Sequence, residues 1–320
     1  MHEGPDYLQG NELDMQTTHT TYTGGDDTRR QARRGLAIFF TIVVALSAPI
    51  QALIIASDLD GGRNGLAQYL VLIAALMFVP TTASVVARLA LKEGFSDVSF
   101  RLGGRRGRNA VLRALVFPIF IGVIAYGVAW AAGLIGFGVP PTGLGGWAAA
   151  IAVLVVLNIF LSSGEEIGWR GYMLTRLIDA GVPRPVLASG LIWAAWHVPL
   201  FLWGDFVQGV PPLLATAFFM VMAPSLGFVL ARMRLETGSV WPAVALHVAW
   251  NAAMQAGFQP LATGASSQLW VGESGVITAL VLVVAAVVYS RGRWMVLREP
   301  PKREEGPGHR ANAQAQLRVQ

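Results

Sequence analysis

Eight long apolar stretches divide this chain of 320 residues, with charge collected almost wholly between and beyond them. They fall at about residues 35–57, 66–91, 111–137, 146–164, 185–203, 212–231, 238–258 and 275–290, lengths that suit a hydrocarbon core roughly 30 Å thick. Some are interrupted by Gly, Pro or Ser, which a membrane helix tolerates when neighbouring helices satisfy the freed backbone groups. A soluble fold is excluded on composition too. The chain is 54% apolar and 13% charged, about half the usual charged share. The expected fold is all-α: a polytopic transmembrane bundle of about eight spans.

The basic residues fix an expected orientation. With eight spans and an inside amino terminus, 23 of the 24 Lys and Arg residues fall on the cytoplasmic side, and only Arg63 lies outside. Changing the span count by one destroys this bias, which is the signature of the positive-inside rule. Both termini are therefore expected in the cytoplasm. The net charge of +5 follows from topology; no basic stripe with interleaved aromatics points to nucleic acid. The Arg101–Arg113 cluster reads as a topology signal in contact with lipid headgroups. Residues 1–34 read as a disordered cytoplasmic tail and not a cleaved leader, since the apolar run after them is too long and too late for one. Residues 35–290 form one membrane domain with a functional core at about 145–260, and 291–320 a charged cytoplasmic tail. With no cysteine in the chain, disulfides and thiolate metal sites are excluded. The scarcity of Lys beside Arg fits a GC-rich bacterial genome, and hence a bacterial plasma membrane.

Ionisable side chains within spans are costly and mark function. Here they are few. Glu165, Glu166 and Arg170 lie where the fourth run heads for the cytoplasm, His197 lies in the fifth, and His247 and Asn251 in the seventh. The other three histidines, His2, His19 and His309, are in the tails. His197 is thirteen residues from Arg184 and His247 thirteen from Arg234, about 20 Å along each helix; Glu165 is about 16 Å from Arg176. Three helices would thus deliver Glu, His and His/Asn to one layer. Glu166 and Arg170 are one turn apart and can pair, as can His247 and Asn251 on a common ligand. Glu165 and Glu166 differ by about 100° around the helix, so one can partner Arg170 while the other, taken here as Glu165, faces a cavity. Trp193, Trp196 and Trp250 read as packing residues.

Glu165-Glu166-x-x-x-Arg170, Trp193-x-x-x-His197 and His247-x-x-x-Asn251 together resemble the three motifs of the CAAX protease and bacteriocin-processing (CPBP) membrane family, over roughly residues 145–260. The usual Phe of the second motif is Trp193 here. The resemblance implies an intramembrane endopeptidase in which Glu165, helped by His197, activates a water, while His247 and Asn251 stabilise the oxyanion. Glu166 and Arg170 would support the site, and no metal or cofactor is required. The implied partners are a peptide or protein substrate, lipidated substrates included, and membrane lipids, reached through a cavity open to the cytoplasm. Two other functions fit the same residues: a zinc peptidase using Glu165, His197 and His247, and a non-catalytic immunity or scaffold protein. Nothing in the sequence specifies the natural substrate or the oligomeric state.

Overall fold

The computed structural model describes residues 25–57, 65–204 and 206–291, and its architecture is predominantly helical. The order is α1 Asp26–Ala56, α2 Leu66–Ala90, α3 Gly104–Ala131 and α4 Gly143–Gly168. A π-helical segment, Trp169–Met173, carries α4 without a break into α5 Leu174–Asp179. Then follow α6 Pro185–Trp203, α7 Pro212–Thr237, α8 Trp241–Asn251, a second π-helical segment Ala252–Phe258, a short α9 Ser267–Trp270 and α10 Val276–Ser290. One small antiparallel pairing, β1 Gly136–Phe137 with β2 Ala262–Thr263, ties the α3–α4 loop to the chain beyond α8.

Each of the eight apolar runs contains a helix, but among the described residues six helical stretches are long and apolar enough to cross a membrane: Asp26–Ala56, Leu66–Ala90, Gly104–Ala131, Gly143–Asp179, Pro185–Trp203 and Pro212–Thr237. By length and composition six of the eight expected spans meet that criterion, and the other two runs carry shorter helices. The last two runs fall short because α10 has 15 residues, about 22 Å of rise, and α8 has 11 before its geometry changes. A second difference is at the amino end. Helix α1 begins at Asp26, nine residues before the apolar run, so the segment bearing Arg29, Arg30, Arg33 and Arg34 is helical. Asp26 and Asp27 in the first turn complement the positive end of the helix dipole. Residues 1–24, residues 292–320 and Arg63 lie outside the described residues.

Helix α4 shows why this bundle needs lipid. Its buried residues are Asn158, Ser162, Gly164, Glu165, Glu166 and Gly168, all polar or glycine. Its most exposed residues are aliphatic and aromatic, Val153, Val156, Ile159 and Phe160 among them, with Val156 68% and Phe160 60% exposed. A soluble amphipathic helix has the opposite arrangement. Hydrocarbon must cover the outside of such a helix, and the protein is a multi-pass membrane protein.

At the arginine-bearing end, the connection between α2 and α3 is clamped to three helices. Arg88, fully buried, pairs with Asp97 and donates through Nη2 to the Gly171 carbonyl at 3.2 Å, within the first π-helical segment. Arg176 of α5 reaches Asp97 at 2.7 Å and Glu93 at 2.7 Å. Arg234 of α7 donates to the Asp97 carbonyl at 2.7 Å. Burial alone would raise the Asp97 carboxyl, but Arg176 and Arg88 outweigh it and hold it below the ordinary range. Its contribution is therefore complete above about pH 4 and is lost as pH falls through the lowered value. Arg88→Met should cost on the order of 3 kcal/mol, as removal of one partner from a buried ionic network does. A lower melting temperature in detergent, not seen with exposed Arg105→Met, is the expected result; equal melting of the two would deny the clamp its role.

Candidate active site

The site is assembled where α4, α6 and α8 meet, and close packing makes it possible. A Cβ on Gly168 would lie 2.3 Å from the Pro80 carbonyl carbon, and one on Gly164 would lie 2.8 Å from the Met77 carbonyl oxygen. Only glycine at these positions, one turn apart and bracketing the two glutamates, lets the α2 backbone press on α4. Thr81 Oγ1 locks the contact by donating to the Gly164 carbonyl at 2.5 Å. On the far side, Gly190 and Gly227 bring α6 and α7 together in the same way, with Arg170 Nη2 lying 3.2 Å from the position of a Cβ on Gly227.

Glu166 is completely buried and its Oε1 is shared. Arg170 Nη1 donates to it at 2.9 Å, and the Nδ1 of His247 lies 2.9 Å away. A carboxylate can only accept, so Nδ1 of His247 carries the proton. The ring's other nitrogen, Nε2, stands 3.9 Å from Glu165 Oε1. Glu165 itself is 3% exposed and lines a cavity of about 730 Å³. Its Oε2 accepts from the Trp193 indole at 2.7 Å. His197 places Nδ1 2.9 Å from the Trp193 carbonyl, so by the same logic its Nδ1 is the donor and Nε2 is left as an acceptor. Asn251 donates from Nδ2 to Asn158 Oδ1 at 2.7 Å, which fixes the orientation of the amide, and both asparagines line the cavity.

All six residues singled out from the sequence thus come together. Glu165, His197, His247 and Asn251 line one cavity, while Glu166 and Arg170 pair behind them. The division between the two glutamates is as the helix phase requires. Trp193 differs from its reading as a packing residue. Its indole holds Glu165, lies under the Arg170 guanidinium at 4.5 Å and meets the His247 and His197 rings edge-on, each at 5.5 Å. Two further polar residues escaped the sequence reading. Asn158 is seven residues before Glu165, two turns up the same face, and its place in an apolar run was the available signal. Glu273 sits in the α9–α10 connection and reaches the cavity from a distant part of the chain. Its Oε1 accepts from Gln255 Nε2 at 3.1 Å, and burial pushes its carboxyl up. Among the described residues, no three His, Cys, Asp or Glu side chains converge as a metal-holding group.

The cavity also departs from expectation in direction. Its lining runs from the Glu165 layer past Leu157 and Asn158 of α4, Trp203 of α6 and Gln255 after α8 to Gln268 and Ser274. These lead to the arginine-poor end of the bundle, not to the end expected to face the cytoplasm. On the arginine side the space is filled by the Glu166–Arg170 pair, by fully buried Trp169 and by the ionic clamp around Asp97.

Residues 146–253, from the start of α4 to just past α8, match a family model described as type II CAAX prenyl endopeptidase Rce1-like. No curated protein matches the chain significantly. The matched stretch contains all six residues of the cluster and the three helices that hold them. Residues 146–253 are thus similar to an Rce1-like type II CAAX prenyl endopeptidase domain, and lie within a multi-pass membrane protein.

Proposed function

We propose that this chain is an intramembrane endopeptidase that hydrolyses a peptide bond with a water activated by Glu165. The observation that carries the reading is the convergence of Glu165, His197 and His247, from three helices, on the floor of one cavity. The indole hydrogen bond fixes one oxygen of Glu165 and leaves Oε1 free to face a water. His197, with Nδ1 committed to a backbone carbonyl, can accept that water's second hydrogen at Nε2. The water attacks the scissile carbonyl as Glu165 takes its proton, and the oxyanion that forms needs donors. His247 supplies one from Nε2 in its imidazolium form, and Asn251 supplies another from its amide. Glu165 then returns the proton to the leaving amine as the carbon–nitrogen bond breaks. A base on one side and donors on the other, preorganised away from bulk water, is the arrangement that such chemistry requires.

Glu166 and Arg170 are support. Their pairing neutralises a carboxylate that the membrane interior would otherwise penalise heavily, and Glu166 fixes the orientation of the His247 ring through Nδ1. We infer from the arginine bias that both termini face the cytoplasm of a bacterial plasma membrane, and membrane-bound polypeptides, lipidated ones among them, are the substrate class proposed.

The first experiment is cleavage of a peptide panel, including a farnesylated CAAX peptide, by detergent-purified protein. Glu165→Gln should abolish turnover while leaving the melting temperature within a degree or two of wild type; turnover that persists would remove Glu165 as the base. His247→Ala and Asn251→Ala should each lower kcat by about 10²–10³, the usual cost of an oxyanion donor, whereas an unchanged kcat would take that residue out of the oxyanion site. Arg170→Met should instead strand a buried carboxylate and lower stability by about 3–5 kcal/mol. Its readout is melting, and a variant as stable as wild type would show that Glu166 does not need the pair.

A further inference from the structure

The cavity is one-sided. On each helix that contributes to it, the lining stops at the level of the glutamate layer: at Met77 of α2, Glu165 of α4, Trp193 of α6, Leu226 of α7 and His247 of α8. No lining residue lies on the arginine side of that layer. The groups found there are held to one another: Glu166 to Arg170, and Arg88 and Arg176 to Asp97. A polypeptide coming from that end would have to part these pairs inside a low-dielectric interior, where an unpaired charge costs most.

The other end is built differently. Helix α6 stops at Trp203, six residues beyond His197 or about 9 Å, and the loop after it lines the cavity through Gly204, Phe206 and Gln208. Facing this loop are Gln259, Gln268 and Glu273. Amide side chains can both donate to and accept from an extended backbone, so this rim offers what a peptide main chain needs on leaving water. Among the described residues, no Lys or Arg lines the cavity. A free carboxyl terminus therefore finds no counter-charge at the rim.

We propose that substrate enters through the arginine-poor end, so that the segment cleaved is presented on the membrane face opposite both termini. By the charge bias this is the outer face, and the substrates are exported or outward-facing segments of membrane polypeptides that pass the rim without a free carboxylate. This rests on the peptidase reading above and specifies which polypeptides that site can reach.

The absence of cysteine from the chain makes the test direct. Gln255→Cys, one turn above Asn251 in the cavity wall, and Ser96→Cys, exposed in the α2–α3 connection, are each introduced alone. Both are treated with a small membrane-impermeant thiosulfonate in sealed vesicles of either orientation. Gln255→Cys should react from the outer face and Ser96→Cys from the inner face. In a Gln255→Cys/Gln268→Cys protein whose rim cysteine has first been capped with a bulky maleimide, the deep cysteine should react at least tenfold more slowly. Peptide cleavage should be lost when a bulky maleimide is placed on Gln268→Cys and retained when it is placed on Ser96→Cys. Reaction of Gln255→Cys from the same face as Ser96→Cys, or from neither face, overturns the proposal, as does cleavage that survives capping at residue 268. A wild type that cleaves no peptide would undo the peptidase reading alone, since the labelling still decides from which face the cavity is reached.

Discussion

The Oε1 atom of Glu166 is the point on which the rest of the structure depends. It accepts from Arg170 on its own helix and from His247 on α8, and through the Arg170 guanidinium stacked on Trp193 it is linked to α6. A lone carboxylate at this depth is costly enough to deform a bundle or to be expelled from it. With two donors on one oxygen, it becomes a fixed reference from which the orientation of the His247 ring and the position of the Trp193 indole both follow. The indole in turn fixes Glu165. The reactive-looking glutamate is thus oriented by the inert one, across three helices.

That arrangement is affordable only because the helices approach unusually closely. In hydrocarbon no hydrophobic force drives helices together, and association relies on small residues and buried polar contacts. Both are concentrated here. Gly164 and Gly168 admit α2 against α4, Gly190 and Gly227 admit α7 against α6, and Gln51 and Ser47 of α1 bond the backbone and indole of Trp196. The outer surface needs none of this precision, and on α4 it is given over to Val, Ile and Phe.

Much of this was legible in the sequence, for identifiable reasons. An ionisable residue in an apolar run is conspicuous, so Glu165, Glu166, Arg170, His197 and His247 announced themselves, and helix rise alone put them in one layer. The two glutamates could be told apart by helix phase. Trp193 was legible as a residue but not as a donor, because aromatic side chains serve packing and hydrogen bonding with the same spelling. Glu273 was hidden by distance along the chain: its approach to the cavity depends on the path of the 259–275 connection, which no periodicity encodes. The side on which the cavity lies was hidden for another reason. Rise gives depth, but whether the space above or below a layer is filled depends on side chains meeting from several helices, here the Arg88, Arg176 and Arg234 group around Asp97. The helical start at Asp26 was missed because apolarity marks where a helix enters the membrane, not where it begins.

The π-helical segment Trp169–Met173 has a bearing on how this helix can change over time. A π turn amounts to one residue inserted into a regular helix, a rotation of about 100° for everything beyond it. Glu165 and Glu166 before it and Arg176 after it therefore occupy phases that a straight helix would not give them, and the carbonyl of Gly171 is met by Arg88 from another segment. The two halves are geared separately: the first to the chamber, the second to the clamp. A deletion of one residue here would leave the glutamates where they are and turn Arg176 away from Asp97 and Glu93. Length, more than residue identity, is what this short stretch has to preserve.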